Sequence, residues 1–227
     1  MEFTGIQREI ALLIFAGGGI EFGDFKLKMH EEHPDAPLSP IYINLRGKPK
    51  GNFSAKTLAA LGHYLADHAV PHGITDFRCV VGLPKAGEPL ADGFAESFTT
   101  EYKKLRLEKE EGNNKRKIAP VVRGDFKQDE NVLMIDDLIT KADTKLEGAQ
   151  ALRDNGLVVT DCLVLVDREK GGETELAKAG INLHAVITLT QLLDFYVGVG
   201  LIDEATKECV VNYRQAVEDY FANQKGQ

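Results

Sequence analysis

Two adjacent carboxylates, Asp136 and Asp137, follow the apolar run Val132 to Ile135, and a short polar turn, Thr140 to Thr144, comes three residues later. Ionised carboxylates only accept hydrogen bonds, whereas the turn carries hydroxyls and backbone N–H groups that donate. The pattern Glu-Gly-Ala-Gln-Ala-Leu-Arg-Asp from Glu147 onward is helical, and Thr144 with Glu147 three residues on reads as a capping box. The stretch is therefore strand, polar turn, helix. Ligands of open α/β sheets bind at such strand ends, and the free N–H groups of a helix start favour anions.

Other elements repeat this construction. Phe77 to Leu83 reads as a buried strand that ends in the glycine-containing turn Pro84 to Pro89, with helix from Leu90 to Phe98. Val158 to Val166 is a further apolar strand, closing in Asp167-Arg168-Glu169-Lys170-Gly171-Gly172, and Ile181 to Leu193 supplies a last strand and helix start. At the amino-terminal end, Ile6 to Ala16 has helical spacing, and Ser54 caps a helix with the stripe Leu58, Leu61, Leu65, Ala69. Ile20 to Lys28 and Ser39 to Arg46 alternate as strands and predict an antiparallel pair. His63 and His68 lie five apart, which places them on different helix faces and points to solvated or capping histidines rather than a metal pair.

Composition narrows the function classes. A chain of 227 residues suits one α/β domain, and a net charge of −8 argues against a general nucleic-acid surface. The amino-terminal apolar run, Ile10 to Phe15, is too short to span a membrane, so the reading is a soluble, cytoplasmic protein without a membrane partner. Cys79, Cys162 and Cys209 are few and scattered, which fits a reducing compartment better than a disulfide framework. Glu101 to Lys117 holds seven basic and four acidic side chains, a charge run that reads as a solvated loop.

The acid pair with its turn resembles the phosphoribosyl pyrophosphate (PRPP) motif of type I phosphoribosyltransferases. Phe22-Gly-Asp-Phe-Lys-Leu-Lys28 with Ser39-Pro-Ile-Tyr-Ile-Asn-Leu-Arg46, and Val166-Asp-Arg-Glu-Lys-Gly-Gly172, resemble the orotate phosphoribosyltransferases in particular. The resemblance covers about residues 19 to 193. It implies an α/β type I phosphoribosyltransferase fold: a twisted, mainly parallel sheet flanked by helices. A small hood from about residues 1–50, with carboxy-terminal contributions, would complete a single domain over 1–227.

The same resemblance implies a set of roles. Asp136 and Asp137 hold the ribose hydroxyls and count with Lys109 as catalytic. Lys28, Lys85, Arg106, Lys109, Thr140, Lys141, Ala142, Asp143 and Thr144 complete the PRPP site. Tyr42, Ile43, Thr140 and Arg168 meet orotate, Arg168 because a planar guanidinium suits a base bearing a carboxylate and ring carbonyls. No residue ligates a metal directly; Mg²⁺ is held mainly by PRPP and water. Residues 101–117 form a mobile loop that enters the neighbouring subunit of a homodimer, with Lys109 matched across a one-residue gap.

Some positions depart from the family pattern. Lys141, Ala142 and Asp143 follow Thr140 where a small residue, glycine and a hydroxyl residue are usual; Leu107 and Glu111 replace a loop lysine and histidine. Asp143 is expected to repel a phosphate, and Ala142 to be strained if the turn needs positive φ. Two alternatives follow: a catalytically impaired relative that binds PRPP or a nucleotide as a sensor or partner, and a phosphoribosyltransferase for another base.

Overall fold

The computed structural model describes residues 3–99, 102–110 and 117–225, without the side chains of Lys109, Glu110, Lys117, Pro120 and Lys225. Helix α1 (Gly5–Ala16) begins at Thr4, whose hydroxyl accepts from Gln7 N at 3.2 Å while the Gln7 side chain accepts from Thr4 N at 3.0 Å. Strands β1 (Ile20–Phe25) and β2 (Ser39–Ile43) pair antiparallel, as their alternation predicts, with Ile20 opposite Ile43 and Phe22 opposite Ile41. Both are shorter than the sequence implies. Lys28–Glu31 leaves the strand direction as a 3-10 turn around the buried His30, whose ring bonds to Leu27, Ala36 and Pro37.

Ser54 caps α2 (Ala55–Ala69), and its expected stripe is buried. The chain then runs through β3 (Cys79–Gly82), α3 (Gly87–Glu96), β4 (Lys103–Glu110) and β5 (Lys117–Arg123). Next come β6 (Asn131–Ile139), α4 (Asp143–Asp154), β7 (Val158–Asp167), α5 (Gly172–Lys178), β8 (Asn182–Thr188), α6 (Leu189–Gly198) and α7 (Glu204–Lys225). The main sheet has the order β5-β4-β3-β6-β7-β8, parallel except for β5, which pairs antiparallel with β4. Neighbouring residues of β6 face opposite sides: Leu133 and Ile135 join a core with α1, α2, α3, α6 and the hood, while Val132 and Met134 join one with α4 and α5.

Three expectations change. Residues 103–110 and 117 belong to strands rather than a loop, because Leu105 and Leu107 alternate into the core while charged neighbours face out. Residues 101 and 111–116, with Glu111, lie outside the described residues. Helix α4 starts one residue before the proposed Thr144 cap: Ala142 is its N-cap and no side chain caps it. His68 is buried and stacks on His72 at 4.0 Å, and burial lowers its pKa to about 4, whereas His63 stays exposed and bonds to Ser97. All three cysteines are free; burial pushes the Cys79 and Cys162 thiols up to about 12, so neither is a reactive thiolate. Among the described residues no helix is long and apolar enough to cross a membrane.

Candidate functional site

Strand β3 ends at Gly82, opposite Ile135, so β6 loses its neighbour on that side just as the acids arrive. The gap opens a cleft of about 790 Å³, within the usual range for small-molecule sites. Two-residue alternation breaks here. Ile135 and Leu138, three apart, pack towards one core, while Met134 and Ile139, five apart, pack towards the other. That break lets the adjacent Asp136 and Asp137 both line the cleft.

Both acids are buried. Lys145, from the first turns of α4, donates to the Asp136 carboxylate and, at 2.6 Å, to the Leu138 carbonyl. Burial alone would lower the Lys145 pKa, but the Asp136 charge and hydrogen bond, together with Cys162 and Asp137, offset it and raise the value. Asp137 accepts from Leu138 N at 2.8 Å. Burial, then the Asp136 charge, push its pKa up to about 7, against the opposing pull of Lys145. The floor thus combines one carboxylate neutralised by a lysine with another whose proton titrates near neutrality.

The walls come from two turns. Leu83 N donates to Ile135 O, and a Cβ on Gly87 would stand 2.2 Å from that same oxygen, so only glycine lets the β3–α3 turn approach β6 this closely. The turn contributes Pro84, the exposed Lys85, Ala86 and Glu88. The β6–α4 turn contributes Thr140, Lys141 and Thr144 beside the free N–H groups of α4. Ala142 has φ −84°, so it carries no positive-φ strain, and its methyl is buried. Asp143 is exposed at the first helical position, where the dipole favours an acid, and does not line the cleft. Both departures from the family turn are therefore accommodated.

Of the other expected site residues, the structure sets several outside this cleft. Arg106 lies on β4 with both Asp92 oxygens at 2.7 and 2.8 Å, while the neighbouring Leu107 and Glu108 line the cleft. Lys109 sits on β4 opposite Ile118; its side chain is outside the described residues. Lys28 is exposed on the hood, Tyr42 is half exposed with its ring 5.6 Å from Phe25, and Ile43 is buried in the core. Sequence reasoning assigned no site role to Arg46 and Lys50, which reach the cleft from the segment after β2, or to Lys145, which lines it from α4.

Arg168 follows β7 directly, and its N–H donates to Ile139 O at 3.0 Å. Its turn is fixed on both sides. Asp167 accepts from Glu169 N at 2.8 Å, and Glu169, at φ 55°, accepts from the N–H and hydroxyl of Thr190. A Cβ on Gly172 would meet Ile139 Cγ1 at 2.6 Å and Thr140 O at 3.0 Å, so this turn packs directly on the Thr140 turn. Among the described residues no ion pair to Arg168 is present, and its buried Nε lacks a hydrogen-bond acceptor.

A mainly parallel sheet flanked by helices, an antiparallel hood, and an acid pair beside a donor turn define the type I phosphoribosyltransferase class. The structure of Leishmania donovani UMP synthase superposes with a TM-score of 0.71 at 26% identity, covering 95% of this chain and 43% of that one. The orotate phosphoribosyltransferase of Chlamydia caviae is 32% identical over 176 residues, 78% of this chain and 79% of its own. Bos taurus uridine 5'-monophosphate synthase is 32% identical over 173 residues, 76% of this chain. The chain belongs to the orotate phosphoribosyltransferase family. It spans about a third of the length of the uridine monophosphate synthases it matches, and no family model matches it.

Proposed function

We propose that the protein transfers the phosphoribosyl group of PRPP to orotate, giving orotidine 5'-monophosphate and pyrophosphate in pyrimidine biosynthesis. The observation that carries this reading is the buried Asp136–Asp137 pair beside the donor turn Thr140 to Thr144 in one cleft. A ribose presents two vicinal hydroxyls to acceptor carboxylates, and its 5'-phosphate presents acceptor oxygens to N–H and O–H donors. In this reading Asp136 and Asp137 orient the ribose, and Thr140, Lys141 and Thr144 with the α4 N–H groups, including those of Asp143 and its neighbours, hold the phosphate.

The C1'–oxygen bond to pyrophosphate breaks with its electron pair leaving on oxygen, while orotate N1 forms the new bond to C1' and its proton passes to the leaving pyrophosphate. The transition state combines an oxocarbenium-like ribose with a pyrophosphate gaining negative charge. Lys85, Arg46 and Lys50, which line the cleft, would stabilise that charge. Mg²⁺ is taken to be carried by the pyrophosphate and water rather than by a protein cage. When bound, Mg²⁺ would offset pyrophosphate charge. In this reading Arg168 meets the base and Lys28, Arg106 and Lys109 act on the pyrophosphate, within a cytoplasmic homodimer.

The impaired-relative alternative loses the motive it drew from the turn, since Ala142 is unstrained and Asp143 stands outside the cleft. Orotate absorbance followed against time with PRPP and Mg²⁺ tests the proposal. PRPP-dependent loss of orotate, slowed by Lys109→Ala, is expected. No turnover, with melting temperature still raised by PRPP, would return the binding-protein reading.

A further inference from the structure

Helix α7 carries no family motif, yet it is a built part of the molecule. Its inward residues Val210, Tyr213, Val217, Tyr220 and Phe221 recur every three or four positions, the spacing of one helix face. Tyr220 and Phe221 meet the His33 ring of the hood at 6.4 and 4.9 Å. Midway along this face, Tyr213 lies beside both Ser39, the first residue of β2, and Arg168. Ser39 Oγ donates to Ile41 O at 2.8 Å.

Two polar atoms of this region lack a hydrogen bond of normal geometry among the described residues, although Ser39 stands beside one of them. The Tyr213 hydroxyl and Arg168 Nε are both buried, and neither has a hydrogen bond of normal geometry. An unmet buried donor costs about 1–3 kcal/mol, more when charged, so a pair of them is rarely retained without use. Burial raises the Tyr213 pKa above its ordinary value, which keeps the hydroxyl protonated and able to donate. Arg168 is always a donor. Ser39 Oγ stands beside the Tyr213 hydroxyl, whereas Arg168 Nε has no acceptor among the described residues.

We infer that Tyr213 of α7 is a specificity-determining residue of the base subsite, donating with Arg168 to an acceptor oxygen of the planar, acidic base. This rests on the reading of the site as an orotate transferase. Tyr213 joins the hood to the Arg168 turn, and that turn packs on Thr140, so base and phosphate subsites share a wall. Helix α7 thereby ties recognition of the base to the closed position of the hood.

Steady-state kinetics of Tyr213→Phe, which keeps the packed ring and removes only the hydroxyl, test the inference. The Michaelis constant for orotate is expected to rise about tenfold, the loss of one hydrogen bond to a polar or charged acceptor. The constant for PRPP is expected to stay unchanged, and the melting temperature of the ligand-free protein to hold or rise by a few degrees as the unmet donor is removed. An unchanged constant for orotate would overturn the inference, as would equal rises for both substrates, which would mark general loosening. Absence of orotate consumption by the unmodified protein is a separate result: it overturns the transferase reading itself, and this assignment with it.

Discussion

Lys145 and Asp136 form a buried ion pair across the floor of the cleft, one from α4 and one from β6. The pair holds the helix start against the strand that carries the acids, and the Leu138 carbonyl accepts a second bond from the same ammonium. Lys145→Met should therefore do more than remove a cation. It leaves Asp136 buried without a partner, a change that costs about 3–5 kcal/mol in comparable pairs. Thermal unfolding should show a fall in melting temperature of roughly 10 °C. Adding Asp136→Asn to Lys145→Met should recover part of that loss, because the stranded charge is gone; no recovery would show that the pair contributes little.

Asp137 gives the site a pH signature. Its folded pKa is raised from near 4 to about 7, so the folded state binds more protons than the unfolded state between those values. Stability assigned to this group is present below pH 4, falls as pH rises towards 7, and is level above it. Asp137→Asn should thus be the more stable protein at pH 8, by about 4 kcal/mol at most, with the difference shrinking towards pH 4. In the unmodified protein PRPP affinity should rise as pH passes 7, when Asp137 becomes a full acceptor. Calorimetric titrations at pH 6, 7 and 8 would show this rise, and its persistence in the asparagine variant would remove Asp137 as the cause.

Asp143 departs from the family turn without entering the cleft, so its substitution should matter little. The double change Ala142→Gly, Asp143→Thr is expected to shift PRPP affinity by less than about threefold. Asp143 lies in solvent, where a charge about 6 Å from another is worth roughly 1 kcal/mol or less. A tenfold tighter PRPP complex in the variant would show that Asp143 reaches the phosphate after all.

The site was most legible where local pattern and burial agree. The run Val132 to Ile135 can only be a buried strand, and the polar turn after it can only sit at the strand's end. The β4 strand was hidden by its charges: an outer strand exposes one face, so Lys104, Arg106 and Glu108 mask the alternation of Leu105 and Leu107 that marks it. Lys145 left a subtler trace. It shares the stripe Lys145, Gly148, Ala149, Leu152, where a lysine on the buried face requires a partner carboxylate nearby. Arg46 and Lys50 left none, since nothing local in the segment after β2 says which wall of the cleft it joins. Likewise the period of α7 announces an amphipathic helix, but only tertiary packing puts Tyr213 beside Arg168.

Gly87 decides how closely the β3–α3 turn meets the acids. The atoms that a Cβ there would strike are backbone, Ile135 O at 2.2 Å and Asp136 Cα at 3.1 Å, and they cannot rotate away as a flexible side chain could. Gly87→Ala must push the turn off β6 and widen the gap between Lys85 and the acid pair. Loss of PRPP binding by tenfold or more is expected, together with a lower melting temperature. Gly198→Ala is the matched control: no atom lies within 4 Å of its added methyl, and the residue ends α6. That change should leave PRPP affinity intact and stabilise by up to about 1 kcal/mol through reduced freedom of the unfolded chain. If both variants bound PRPP as the unmodified protein does, the close approach at Gly87 would be a packing detail with no bearing on the pyrophosphate wall.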